Sequence, residues 1–466
     1  MTLKLFSIKK IFRFTVVLIS VLVQRNSFAQ QNFILYNMRS VPQSIYANPA
    51  FRPTDTTIFV GIPVFSSQYF SFSNSGFRYS DLIKHGANDS LYADPNNMLS
   101  KLATKNYISL NYQMDLFSFG IGIKKNYFTF NVTEKATLRF GYTSEFMGFL
   151  WYGNGDPSII NKTINLAPSI NFTHYREYGF GWSRKINDKL TVGGKLKYLY
   201  GMENVSTENS NVSIYTDPND FALTAQSNVH IDESGIDSNE FHKPFNVAHY
   251  LFKKQNNGMG IDLGGTYKFN DRITFSASIV DLGFIHWNSA VSNYVSHTPG
   301  ATFTYNGVNY NQFIGNNSIN IGNALQKTGD SIAHVLKPDT LHNSYTTMLT
   351  TQIYVGANYQ VIANGNAGIL LYAQLYDNAL HPAVALSYNQ SVGKWLSASI
   401  SYSIYNRSYT DIGLGFSVHL GATQLYIVSD NILGAIFPQD AKNINLHAGL
   451  NLVWAHKKHV TKASFN

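Results

Sequence analysis

A two-residue rhythm of apolar and small polar side chains constrains this chain more than any other feature. In residues 395–405, Leu396, Ala398, Ile400, Tyr402 and Ile404 alternate with Ser397, Ser399, Ser401 and Ser403. Residues 412–420 alternate Ile412, Leu414, Phe416, Val418 and Leu420 against Gly413, Gly415, Ser417 and His419. The last such stretch sets Ile444, Leu446, Ala448, Leu450, Leu452 and Trp454 against Asn443, Asn445, His447, Gly449 and Asn451. A period of two is that of a β-strand, whose successive side chains point to opposite faces. A sheet face in bulk water normally carries Lys and Glu, whereas here the polar set is Ser, Gly and Asn. That pairing suits an apolar exterior in lipid around a crowded polar interior.

Composition agrees. Charged residues make up 13% of the chain, against about 25% in ordinary soluble proteins, and aromatics make up 14%. After residue 29 no apolar run is long enough for a spanning helix, which leaves the closed barrel as the membrane solution. With no cysteine, disulfides, thiolate nucleophiles and Cys-bound metals are excluded.

Residues 1–29 read as a secretory signal peptide. Lys4, Lys9, Lys10 and Arg13 precede an apolar core over 14–23, and Ser27-Phe28-Ala29 places cleavage before Gln30. Removing that segment takes five of the 35 basic residues, leaving 30 against 27 acidic ones. The net charge falls from +8 to +3, which removes most of the case for a nucleic-acid partner.

The turns carry a second regularity. Ile186-Asn187-Asp188-Lys189-Leu190 and Phe269-Asn270-Asp271-Arg272-Ile273 share one pattern, and face parity on either side requires a three-residue loop. Asn and Asp tolerate the left-handed conformation such loops use. Turns of this kind divide the chain into fourteen up-and-down strands between 57–72 and 442–455. The even number puts both termini on one side, expected to be periplasmic, with long loops at about 73–105, 141–167, 205–256, 288–347 and 431–441 on the other. Within 106–123 the apolar parity changes between Met114 and Phe117, so a bulge is expected there. Asp94-Pro95 reads as the cap and first position of a short helix, and 318–336 has roughly helical spacing. The expected fold is thus an all-β, transmembrane, antiparallel barrel of about 14 strands over 57–455. An N-terminal segment, 30–56, precedes it and a tail, 456–466, follows.

Several stretches carry a resemblance. Tyr175-Arg176-Glu177-Tyr178-Gly179-Phe180-Gly181, continuing to Lys195-Leu196-Lys197-Tyr198-Leu199-Tyr200-Gly201, resembles an uncharacterised outer-membrane barrel family, a domain of unknown function, of bacteria that use type IX secretion. Asp281-Leu282-Gly283-Phe284-Ile285, Gln424-Leu425-Tyr426, Ser429-Asp430-Asn431 and Asn443-Ile444-Asn445-Leu446 are similar to the same family. Asn48-Pro49-Ala50 is similar to the hatch of FadL-like fatty-acid channels and to PorP–SprF-like barrels associated with type IX secretion and gliding. That likeness implies that 30–56 folds inward as a hatch or plug. Many barrels end on a terminal aromatic signal, and here either Trp454 or Phe465 is available to serve.

Chemistry is sparse. No metalloprotease, P-loop, nucleophile-elbow or dinucleotide pattern occurs, and His456 and His459 sit in a basic tail. No catalytic residue, metal ligand or cofactor is assigned, and the chain is not read as an enzyme. The polar candidates are inward-facing charges: Glu177, Lys195, Lys197, Asp262 and Lys268. Parity sets Gly181 opposite Lys195 and Gly179 opposite Lys197, with Glu177 diagonal to Lys197. These residues either orient a ligand or anchor the hatch, or they form an internal ion pair that offsets the cost of enclosed charge. Two functions follow. One is a barrel in outer-membrane lipid that binds or passes a small amphipathic or hydrophobic molecule through a Tyr- and Phe-lined pocket. The other is a non-transporting partner of a secretion or surface-motility assembly, contacted at outer loops or periplasmic turns.

Overall fold

Alternation sorts the residues of each strand onto two faces, and in the computed structural model the buried face is the polar one. The structure describes residues 32–54, 56–236, 256–305, 338–377 and 379–454. The stretch 1–29 expected to be a signal peptide, the helical spacing at 318–336, the tail 456–466 and Phe465 lie outside the described residues. Ser399, Ser401 and Ser403 are buried while Ile400 and Tyr402 are exposed. Such inversion fits a sheet whose outside meets lipid and whose inside is filled. No described helix is long and apolar enough to cross a membrane.

Fourteen antiparallel strands form the wall: β1 (Ile58–Gly61 and Gln68–Asn74), β2 (Lys105–Ile123), β3 (Asn126–Thr143), β4 (Ser169–Lys185), β5 (Leu190–Thr216), β6 (Asn256–Lys268) and β7 (Ile273–Trp287). The others are β8 (Tyr345–Met348 and Thr351–Ile362), β9 (Gly365–Tyr376), β10 (Ala379–Val392), β11 (Leu396–Tyr405), β12 (Ser408–Leu420), β13 (Thr423–Ser429) and β14 (Asn443–Trp454). Each pairs with its neighbour, and β1 pairs with β14, Ile58 opposite Trp454 and Phe72 opposite Ile444, so the sheet closes. Closure satisfies the edge hydrogen bonds that hydrocarbon would leave unmade.

The irregularities have local causes. β1 breaks around Pro63, which lacks an N–H, and Val64 there has φ 69°. The gap faces the expected bulge in β2, where the register shifts between Asp115 and Phe117. Both hairpin loops hold three residues, with Ile186 N–H donating to Leu190 and Phe269 N–H to Ile273. Their mechanism differs from expectation. Residues 187–189 and 270–272 have no positive φ. Instead the Asn187 side-chain oxygen accepts from Lys189 and Leu190 N–H, and that of Asn270 accepts from Arg272 and Ile273 N–H. Asn is therefore selected as an acceptor for its own turn. The helix Pro95–Lys101 forms as expected, its first turn capped by the Asp94 carboxylate accepting from Asn97 N–H.

Two loop expectations are corrected. Residues 205–216 continue β5, which pairs with a further strand, Leu223–Ser234. That strand also pairs with Val291–Ser296 and Ala301–Tyr305, and Pro338–Leu341 joins beside Val291–Ser296. A sheet thus stands beyond the barrel rim at the long-loop end. Both faces of this extension are rich in Asn, Ser and Thr, so no apolar rhythm marks it.

Ile400 lies in the middle of β11 on the outward face. Ile400→Arg is expected to cost about 2–4 kcal/mol of barrel stability at membrane midplane depth. Denaturant titration of the barrel in lipid vesicles checks this, and an unchanged midpoint would contradict the outward assignment.

Candidate functional site

Inward positions on five neighbouring strands, β3 to β7, bring charges together that would be prohibitive alone. Glu177 comes from β4, Lys195 and Lys197 from β5 and Asp262 from β6. β5 pairs Gly179 with Lys197 and Gly181 with Lys195. The absent glycine side chains leave room for the Lys195 stem, whose Cδ lies 3.1 Å from where a Cβ on Gly179 would stand. Lys197 Nζ is 2.7 Å from Asp262, 2.6 Å from Asp281 and 3.5 Å from Glu177. Lys135, from β3, lies 2.9 Å from Glu177 and 3.3 Å from Asp281. Lys195 is more loosely held, 4.0 Å from Glu177, with its ammonium 4.5 Å from the Tyr46 ring centroid. Three lysines thus face three carboxylates, so enclosed charge is neutralised within the group.

Lys268, expected to face the same lumen, is not part of this group. It ends β6, is exposed, and pairs with Asp271 in its own turn at 2.9 Å. Parity alone assigns it inward, but at the last residue of a strand the side chain reaches past the rim.

Two members escaped the sequence reading. Lys135 was accessible to it, since Tyr127, Thr129, Asn131 and Thr133 on the same strand are inward and buried. Asp281 was not. It shares parity with the outward Phe275, Ala277 and Ile279, but a bulge opposite Asp262 shifts the register between Ile279 and Leu282. Asp281 takes φ 58° there, and its N–H donates to the Asp262 carboxylate at 2.8 Å. The bulge thereby turns a carboxylate from lipid into the cluster.

The N-terminal segment meets this inner wall. The helix Phe33–Asn37, labelled α1, is followed by a 3-10 turn, Pro42–Tyr46. Asp430 accepts from Phe33 and Ile34 N–H at 3.2 and 2.8 Å, so a loop carboxylate serves the free donors of the α1 N-terminus. Tyr36 donates to Ser276, Gln43 to Asn451, and Tyr46 to Asp115 at 2.5 Å. Asn48 is fully buried. It donates to the Ala277 carbonyl at 3.1 Å and the Gly265 carbonyl at 3.4 Å, and accepts from Ala50 N–H at 2.9 Å. Pro49 and Ala50 pass so close to β5 that a Cβ on Gly193 would lie 2.3 Å from the Pro49 carbonyl oxygen. Only glycine permits that approach.

Three cavities among the described residues adjoin these elements. One, of about 20 Å³ and large enough for about one water, lies among Tyr46, Glu177, the three lysines, Asp262 and Asp281. A second, about 540 Å³, is bounded by Asn37–Ser40 and the tight-turn ends of β8 to β12. The third, about 560 Å³, lies toward the long loops. Its wall holds Asn111, Asn171, Thr173 and Gln374 together with Tyr112, Tyr175, Leu282, Met348 and Tyr376. The expectation of a pocket lined by Tyr and Phe is corrected here: tyrosines are present, phenylalanine is not, and amides and hydroxyls supply much of the rest.

A family model described as "Family of unknown function (DUF5723)" matches residues 49–430. No curated protein matches this chain in sequence. Among solved structures it is similar to the P. putida toluene transporter TodX, with 10% identity, coverage of 89% of this chain and 94% of that chain, and a TM-score of 0.40. It is also similar to a Pseudomonas aeruginosa FadL homologue at 9% identity, 92% and 100% coverage and a TM-score of 0.40. The Ralstonia pickettii toluene transporter TbuX follows at 9% identity, 89% and 93% coverage and a TM-score of 0.32.

Lys197→Met leaves Asp262 and Asp281 without their shortest partner and is expected to cost about 3–5 kcal/mol, read by denaturant titration of the folded barrel. Gly193→Ala is expected to cost about 1–3 kcal/mol through overpacking and to expose Pro49–Ala50 to protease. An unchanged cleavage pattern would contradict the contact.

Proposed function

We propose that this chain, which belongs to the DUF5723 family of unknown function, is an outer-membrane barrel that binds or passes a small amphipathic molecule past a hatch formed by residues 30–56. The observation that carries this reading is the cavity of about 560 Å³ at the long-loop end. Its size falls in the range of small-molecule sites, about 300–1,000 Å³. Its wall mixes amides and hydroxyls with tyrosine and aliphatic surface, which suits a ligand with one apolar and one polar side. Beneath it lie the ion-paired cluster and the N-terminal segment, joined through Tyr46. In this reading the long loops face the exterior, both termini are periplasmic, and the ligand enters from outside. The cluster holds the hatch in register through Tyr46 and Asp115, while Asn48-Pro49-Ala50 pins it to β5, β6 and β7.

A second reading, a docking partner of a secretion or surface-motility assembly, is supported by the sheet beyond the rim built on the β5 extension. Native mass spectrometry of protein extracted gently from its own membrane separates the two. Binding predicts a retained small molecule absent from a control barrel prepared identically. A stoichiometric protein partner with no small ligand would overturn it.

The latch at α1 adds a pH dependence. Burial pushes the Asp430 carboxyl up to about 6, against accepted hydrogen bonds from Ile34 and Phe33 that lower it. A carboxyl raised in the docked state favours docking most below its free value near 3.9 and loses that contribution as pH rises through about 6. Protease cleavage within 33–51 is therefore expected to be faster at pH 8 than at pH 5, with Asp430→Asn flattening the difference. A wild-type rate that falls with pH, after correction for the protease, would contradict the latch.

A further inference from the structure

The long-loop cavity holds two buried polar atoms that nothing described in the protein satisfies, and they differ in kind. Arg139, on β3, is 8% exposed and lines the cavity. Its guanidinium lies 3.6 Å from the Tyr376 ring centroid, and Tyr376 is stacked on His381 at 3.8 Å, so the group is held flat and fixed. Its Nε–H has no hydrogen-bond partner, and no described carboxylate lies within 4.0 Å of its guanidinium. Gln374, two residues before Tyr376 on β9, is 4% exposed, lines the same cavity, and its Oε1 accepts from no donor.

The charges around the cavity are otherwise matched. Lys135 is neutralised by Glu177 and Asp281, and Asp377 is met by Lys105 at 3.2 Å and by the Tyr107 hydroxyl at 2.9 Å. Asp377 also interacts electrostatically with Arg139, so this one carboxylate faces two cations, Lys105 and Arg139, and among the described residues the cavity keeps a surplus positive charge at Arg139. A desolvated guanidinium with a free N–H calls for an anionic acceptor, and a buried amide oxygen calls for a hydroxyl or N–H donor.

We propose that this cavity is the site of a small hydroxylated anion, of the sugar-acid or sugar-phosphate class. Its carboxylate or phosphate accepts from Arg139, and a hydroxyl donates to Gln374. Asn111, Asn171 and Thr173 face its remaining hydroxyls, and Tyr175 offers a surface for the apolar face of the ring. This rests on the reading of the barrel as a small-molecule binder and narrows the class of molecule.

The test is titration calorimetry of the full mature chain in detergent with three probes: D-glucuronate, D-glucose 6-phosphate and D-glucose. Both anions are expected to bind at least tenfold more tightly than glucose. Arg139→Gln, checked as a folded barrel by its heat-dependent gel migration, is expected to bring all three within about twofold of one another. Equal affinities in the wild type, no binding by any probe, or a preference unchanged in Arg139→Gln overturns the proposal. A neutral molecule retained by the native protein would leave small-molecule binding standing while this inference falls. Protein that retains nothing and binds no probe would remove both.

Discussion

Closure of the sheet through β1 and β14 is the constraint on which everything else in this molecule depends. Hydrocarbon offers no partner to a backbone N–H or carbonyl, so a lipid-facing sheet must have no edge. Once Ile58 pairs with Trp454 and Phe72 with Ile444, each spanning strand has one face in lipid and one face in an enclosed interior. The outward face then needs only to be apolar. The inward face must fill a volume, satisfy its own polar groups and neutralise its own charges.

That burden shapes the interior. The Lys135, Lys195, Lys197, Glu177, Asp262 and Asp281 group is a solution to enclosed charge before it is anything else, because each carboxylate meets at least one ammonium and the whole is neutral. The N-terminal segment addresses volume: Phe33, Ile34, Tyr36 and Phe51 are buried within the barrel, and Gly193 and Gly264 make room for Asn48-Pro49. Arg139 and Gln374 face the long-loop cavity with hydrogen bonds that the described protein does not complete. Neutral interior charge and unmatched cavity groups are therefore different kinds of feature, and only the second points outward to a ligand.

Much of this was legible in the alternation. Parity and the three-residue loops located the strands, the register that sets Lys197 opposite Gly179, and the β2 bulge. Parity failed where the backbone breaks it. Asp281 reads as lipid-facing until the bulge opposite Asp262 is known, and no local sequence signal announces that bulge. Lys268 reads as inward because parity carries no information about where a strand reaches the rim. The β5 extension over 205–216 was hidden because both of its faces are polar, so alternation has nothing to show. Arg139 lay near the expected end of its strand, and its surroundings in the cavity depend on where β9 places Tyr376 and Gln374, far away in sequence. The interior contacts of residues 33–51 had only a tripeptide to mark them.

Closure of the lumen by the N-terminal segment is the proposal on which this reading of the barrel turns. Conductance across a planar bilayer tests it most directly, comparing the mature chain with a chain lacking residues 30–54 whose folding is verified by gel migration. No sustained current is expected for the mature chain, and a persistent ohmic current for the shortened one. A mature chain that conducts steadily, or a shortened chain that stays closed, would contradict it.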